Sequence, residues 1–426
     1  MTVRLAANTL SIYKESGTSM PNDAYAPLRR PAYRRYVEGS LATTIAEQIL
    51  RVTAGNHLYA TTQSAWPLAL VGLMAYLPTL LLSLPAGWAS DHFPRRRVIA
   101  LALSLQALGL AGLALLNGLG GPQWPWYPLL FLAGSGRAIL TPSGVSLYPQ
   151  LLEPSEVPRG VSWNSATNQA GTVLGLLAGG LLLHWFSVTQ TLCIALAGPL
   201  VYLALLPGLR ALRELPPPLE EPLREKILGG FRFVWAQKPI LGALSVDFVA
   251  VLFGGVSGIA PMFALDILHC GSIGQGALMA APFVGSLAMG FRLAHRPHLP
   301  RPGRAMLLAV AGFGICMLVF GVSRRLDLSL AALAASGMFD QISVYVRQTM
   351  VQLRTPEALR GRVQAVNFLF IGSSNELGEC ESGVSAALLG PVGSALMGGV
   401  AVLLVVLGAA RIFPELLKLP SLEGPS

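Results

Sequence analysis

Between about residue 37 and residue 411 the chain repeats one unit: a run of mostly apolar residues, then a short interval that gathers charges, glycines and prolines. The runs are about 20 residues long, the length a helix needs to cross ~30 Å of hydrocarbon. Composition agrees with that reading. The chain is 53% hydrophobic and 12% charged, with a mean hydropathy of +0.57, where a soluble domain carries about a quarter charged residues. The expected fold class is an all-α integral membrane protein. Its spans fall near 37–60, 66–88, 98–118, 127–148, 160–184 and up to Pro207, then near 239–263, 273–294, 305–323, 327–350, 363–387 and 391–411.

The one long polar interval lies at the midpoint. RALRELPPPLEEPLREKILGGFRFVWAQK starts rich in proline and ends in an amphipathic stretch with Phe231, Phe233 and Trp235, which predicts a linker followed by a helix on the membrane surface. The expected organisation is a tail over 1–35, a six-span half over 36–207, a linker over 208–238, a second six-span half over 239–411 and a tail over 412–426. The halves echo each other: Pro154, Arg159 and Gly160 recur as Pro356, Arg360 and Gly361, and Gly175 and Gly180 recur as Gly378 and Gly383. Two six-span halves related by such a repeat are the pattern of a duplicated transporter.

Charge sets the expected orientation. Of the 30 Lys and Arg, Arg324 and Arg325 alone fall in outer connectors and Arg51, Arg137 and Arg347 within spans; the others lie in the tails and the remaining connectors. The positive-inside bias then places both termini in the cytoplasm. The net charge of +9 follows alternate loops rather than forming one patch, so no nucleic-acid partner is expected. The stretch before Arg30 lacks a signal-peptide pattern, and Met20 is an alternative start. Cys193, Cys270, Cys316 and Cys380 are scattered singly, and His295 with His298 in HRPH reads as a solvated basic loop. No metal and no cofactor is expected.

Several spans carry groups that hydrocarbon disfavours. Glu47, Gln48 and Arg51 lie in the first, Arg137 in the fourth, Asp247 in the seventh and Asp340 in the tenth. A central Arg costs ~2.5–3.5 kcal/mol on insertion scales and persists where water, an acid or a ligand meets it. Glu47 and Arg51 share a helical face at i,i+4. Two readings fit them, a neutralised structural pair and a cavity-lining substrate or proton site. Asn168 in the fifth span, Gln341 in the tenth, and Glu376 and Glu379 in the eleventh are further candidates for a polar lining; with Glu381 the last two need arginine, water or protons. Gly171, Gly175 and Gly179 repeat at four-residue spacing, with Gly180 beside the last, a device for close helix packing.

Two motifs carry a family resemblance. GWASDHFPRRR, from Gly87 to Arg97, resembles the G-x-x-x-D-R-x-G-R-R loop of the major facilitator superfamily, with Gly87, Asp91, Arg95 and Arg96 in register; His92 replaces the first Arg and Pro94 the second Gly. The glycines of the fifth span resemble the G-x-x-x-G-P-x-x-G-G signature of its exporters, with Leu176 at the proline position. RGRVQAVNFLFIGSSNELGECESG, Arg360 through Gly383, is similar to a bacterial subgroup that includes macrolide-efflux and enterobactin-exporter relatives. The resemblance implies twelve helices in two pseudo-symmetric six-helix bundles, in a bacterial inner membrane. It implies that the first and fourth helices of each half line a central cavity, which puts Glu47, Arg51, Arg137, Asp247 and Asp340 there, and that Asp91 helps hold a cytoplasmic gate.

The function expected is proton-coupled efflux of a small organic molecule, drug-like or a siderophore, by a monomer among membrane lipids. Glu47, Asp247 or Asp340 would exchange the proton; the competing reading is an inter-helix salt bridge such as Arg137 with Asp340. Import or lysolipid flipping on the same scaffold is the alternative. A polytopic membrane enzyme is a remote one, because no nucleophile–base set, metal spacing or phosphate-binding loop occurs.

Overall fold

The computed structural model describes residues 25–209, 212, 223–295, 301–356 and 359–417. The first half contains α1 (Pro31–Thr62), α2 (Trp66–His92), α3 (Arg95–Gly118), α4 (Trp126–Leu147), α5 (Val157–Trp185) and α6 (Val188–Leu205). The second contains α7 (Lys238–Phe253), α8 (Gly271–His295), α9 (Pro302–Val322), α10 (Leu326–Arg354), and then Arg360–Ile412, which parts at Gly390 (φ 77°) into α11 (360–389) and α12 (391–412). The chain reverses at that glycine. Ser394 Oγ donates to the Ser382 carbonyl at 3.3 Å, whereas twelve residues of straight helix would separate them by about 18 Å.

By length and composition alone six helical segments among the described residues qualify as membrane spans, and a seventh if the segment Gly229–Ala236, bent 101° from α7, is joined to it. α1, α4 and α10 are not among the six, because their polar and charged side chains lower an otherwise apolar run. The outer surface is leucine-rich: Leu108, Leu115, Leu404 and Leu407 are 60–65% exposed, a surface that requires lipid rather than water. α1 is longer than its apolar run. Its 32 residues extend for about 48 Å, since the arginine-rich turn before residue 37 continues the helix, and Arg30 anchors its start to Glu153 and Glu156 in the α4–α5 connector.

The repeat in the sequence is a repeat in packing. A Cβ on Gly175 of α5 would lie 2.8 Å from the Ile45 carbonyl of α1, and one on Gly378 of α11 would lie 2.9 Å from the Val251 carbonyl of α7. One turn on, Gly180 faces the other half, where a Cβ would meet the Ser272 carbonyl of α8 at 2.4 Å; Gly383 does the same to the Ala69 nitrogen of α2 at 2.5 Å. Each half therefore presents one glycine to its own first helix and another to the opposite half. Gly171 and Gly179 extend the α5–α1 contact, against Thr44 and Val52.

The seventh span departs from the continuous helix expected over 239–263. α7 stops at Phe253, and the chain resumes as a short helix at Ala260–Met262 and a π turn at Phe263–Ile267. Gly254, Gly255 and Gly258 are poor helix formers, and Gly255 and Gly258 let the unwound backbone lie against α11. A Cβ on Gly258 would come within 2.6 Å of the Glu379 carbonyl. The freed Gly255 carbonyl accepts from Ser382 Oγ at 2.7 Å, which meets the backbone demand inside the layer.

Among the described residues the apolar core that the halves share lies at one face. One apolar core joins Val52, Leu68 and Leu176 to Ile259, Phe263 and Leu278 at the face opposite the N-terminal arginines. At the arginine-rich face the cores stay separate: Tyr33, Ile99, Leu147 and Tyr202 belong to the first half, and Val234, Leu244, Met350 and Val363 to the second. Polar ties follow the same division. Asn56 Nδ2 donates to Gln275 Oε1 at 2.6 Å, Gln275 Nε2 donates to the Val52 carbonyl at 3.1 Å, and Tyr59 Oη donates to Asp266, all toward the opposite face.

Candidate functional site

Spacing on α1 builds one wall of a cavity. Thr43, Glu47 and Arg51 follow at four-residue steps and share a face, while Gly198 lets α6 pack closely on α1 at Ala42 and Ala46. The other walls are Val71 and Ala75 of α2, Gln106 and Leu110 of α3, Leu130, Ala133 and Arg137 of α4, and Glu379 of α11. The space holds about 740 Å³ with the solvent at its mouth, and its lining is mainly apolar with a few converging charges, the usual make-up of an organic-ligand site. Gly136 positions Arg137: a Cβ there would lie 2.4 Å from the Ala102 carbonyl, so α4 sits tightly on α3 and its next residue lines the cavity.

The charges are held by specific partners. Gln106, 4% exposed, donates through Nε2 to Glu47 Oε1 at 2.8 Å. Arg51 Nη1 pairs with Glu379 Oε1 at 2.8 Å, across the boundary between the halves. On the other side of that pair is a second, much smaller space, bounded by Gly55, Leu68, Gly72, Ser257, Pro261 and Gln275. Arg51 and Glu379 line both spaces. They form the partition between them.

The structure brings Glu47, Gln48, Arg51, Arg137 and Glu379 together around one cavity, and it places Asp247 and Asp340 elsewhere. Asp247 is 5% exposed inside the second bundle, where Oδ2 lies 3.3 Å from Arg347 Nη2 and Oδ1 accepts from Ser343 Oγ at 3.0 Å. Arg347, 2% exposed, also donates through Nη1 to Asn367 Oδ1 at 2.7 Å. The charged groups acting on Asp340 are Asp247 and Arg347. The suggested Arg137–Asp340 bridge is therefore not formed, because Asp340 faces Asp247 and Arg347 of its own half.

The remaining candidates are dispersed. Gln341 accepts from Ser286 Oγ at 2.7 Å within the second bundle, and Asn168 is exposed on α5. The side chains of Asp91 and Glu376 and the whole of His298 fall outside the described residues. Gly87 has open space around it, Arg95 is half-buried with Nε lacking a hydrogen-bond partner, and Arg96 is exposed. No cluster able to hold a metal occurs among the described residues. Sequence reasoning passed over Gln106, Asn56, Gln275, Tyr59 and Asp266. A lone glutamine in the otherwise apolar 98–118 run was the available signal for Gln106; the others lie near span ends, where polar residues are ordinary.

Comparison with known proteins adds the following. The family model described as Major Facilitator Superfamily matches residues 39–378. An enterobactin exporter, EntS, of Shigella flexneri is 28% identical over 385 residues, covering 88% of this chain and 90% of that protein. The same-named protein of Escherichia coli O1:K1 / APEC is 26% identical over 379 residues, with the same coverage. Among solved structures, a bacterial homolog of the human lysosomal transporter Spinster, inward-facing and unoccupied, superposes with TM-score 0.73 at 16% identity over 93% of this chain and 100% of that one. The nucleoside transporter NupG gives 0.68 at 12% identity, over 91% and 99%.

Proposed function

The chain belongs to the Major Facilitator Superfamily, and from that premise we propose that it exports a siderophore-like organic molecule by proton-coupled alternating access. One observation carries the cargo site: the cavity where Arg51, Arg137, Glu47 and Glu379 converge on apolar walls between the halves. An amphipathic ligand with acidic groups suits that lining, with guanidiniums for the acids and Leu110, Leu130 and Ala133 for the rings. The relatives named enterobactin exporter support the cargo class and the outward direction.

In this reading the protein works as a monomer, with both termini in the cytoplasm as the arginine distribution favours. The contacts between the halves then lie toward the outside, and the cavity faces inward, ready to load. Rocking the halves would part the α5–α8 and α2–α11 seams, whose glycines permit close approach, and shut the arginine-rich face where the Gly87–Arg97 motif lies. Glu47, on the cavity wall, is the foremost candidate to exchange the proton; Asp247 and Asp340 are the alternates, in the second bundle. The boundaries at 36–207 and 239–411 define the rocking units.

The test is flux. Purified protein in proteoliposomes should move enterobactin against its gradient when a proton gradient is imposed, and Arg137→Ala should abolish the movement. Enterobactin flux no faster than in empty vesicles contradicts the cargo assignment, and flux indifferent to the proton gradient contradicts the coupling.

A further inference from the structure

The Arg51–Glu379 pair differs from every other ion pair described in the molecule. The others join residues of the same half: Arg30 with Glu153 and Glu156, Arg34 with Glu38, Lys238 with Glu415, Arg325 with Asp327, and Arg347 with Asp247. This one joins α1 to α11, hence first half to second. It stands between the loading cavity and the second space toward the opposite face, and both side chains are partly accessible, 25% for Arg51 and 14% for Glu379. Glu379 is held from behind by the unwound stretch after α7, where Gly258 meets its carbonyl.

An ion pair so placed has two competing uses for one guanidinium. Arg51 faces the cavity where an acidic cargo would arrive, yet it is engaged by the carboxylate of the opposite half. An organic anion must displace that carboxylate to gain Arg51's charge-assisted hydrogen bonds, and once it does, the tie between α1 and α11 is lost. A ligand shifts a conformational equilibrium only by its differential affinity for the two states. Competition for Arg51 supplies that difference. A neutral ligand of the same shape leaves the pair intact and gives no such signal.

Resting on the exporter reading above, we propose that Glu379 is a built-in counter-anion: an anionic group of the cargo, a carboxylate or a catecholate, replaces it on Arg51, and the exchange releases the seam between the halves. Glu379 is thereby a positioning residue that admits acidic ligands at the cost of a closed seam. Its carboxylate, once displaced, turns to the second space that it already lines.

The test uses the full chain in lipid nanodiscs, with salicylate as anionic probe and salicylamide as its neutral match. Removing the competing charge in Glu379→Gln should tighten salicylate binding about tenfold, as expected when the binding-competent state no longer has to be won from a competitor, and leave salicylamide binding unchanged. Spin labels at Thr61→Cys and Leu388→Cys, in a background whose native cysteines are serine, should move apart in Glu379→Gln without ligand, and in the otherwise native protein on adding salicylate. Glu379→Asp, which keeps the charge on a shorter stem, should fall between. No gain for salicylate in Glu379→Gln, or an unchanged label distance in that variant, overturns the proposal. These readouts need no cargo movement, so a failure of enterobactin flux would sink the exporter reading while leaving the exchange itself to be judged.

Discussion

The two bundles place charge on equivalent helices and use it in opposite ways. Arg137 on α4 and Asp340 on α10 are related by the same spacing that relates Gly175 to Gly378 and Gly180 to Gly383. In the first bundle Glu47, Arg51 and Arg137 line a cavity open to solvent, with Glu47 held by Gln106 and Arg51 by Glu379 on its wall. In the second, Asp247, Arg347, Ser343 and Asn367 pair with one another in a site that is almost closed to solvent, with Arg347 Nε and Asn367 Nδ2 left without a hydrogen-bond partner. A charge inside a membrane helix is thus a functional signal only when its environment is known. Neutralised within its own bundle it holds helices together, and facing a cavity it can hold a ligand.

That comparison predicts its largest effect in the second bundle. Asp247→Ala leaves the Arg347 guanidinium buried without its carboxylate, a change that costs about 3–5 kcal/mol for a buried pair. It should appear as a marked fall in thermal stability in detergent. Replacing both members, Asp247→Leu with Arg347→Met, should recover much of the loss, because it is the orphaned charge rather than the missing attraction that is expensive. Equal losses in the single and double variants would break the comparison.

The seams come next. Gly180→Ala puts a Cβ 2.4 Å from the Ser272 carbonyl of the other half, and overpacking of this kind costs about 1–3 kcal/mol. The strain falls on the contact between halves, so it should appear as a longer distance between labels on α5 and α8 rather than as unfolding. Gly175→Ala, pressing on α1 within its own half, should lower stability and leave that distance alone. The smallest effect belongs to Glu47→Gln. Gln106 keeps an acceptor there, so thermal stability should shift by no more than about 1 kcal/mol, a lost charge-assisted bond exchanged for a neutral one, while the response of flux to a proton gradient disappears. A gradient response equal to the unaltered protein's would move the proton to another group.

Much of the fold was legible because a bilayer demands run lengths that few other folds need. The spans and the duplicated glycines follow from that and from the spacing of small residues. The break in α7 had a local signal too, three glycines in FGGVSG, which a search for apolar length passes over. Glu47, Arg51 and Arg137 were legible as cavity candidates because a charge in an apolar run is costly. Their partners were not: Gln106 and Glu379 reach Glu47 and Arg51 only through tertiary packing, and nothing in the order of residues pairs positions in different halves. Asp247 and Asp340 gave the same signal as Arg137 and occupy a different setting, since a sequence marks a charge as buried without marking what faces it.

The most direct test of the central claim, that the first bundle's cavity holds the cargo while the second bundle's cluster holds the helices, is enterobactin binding by calorimetry per mole of folded protein. Arg137→Ala should weaken binding at least about tenfold, or 1.4 kcal/mol, with thermal stability little changed. The folded fraction of Asp247→Ala should bind as the unaltered protein does. Undiminished binding by Arg137→Ala, or loss of binding by folded Asp247→Ala, would contradict the account.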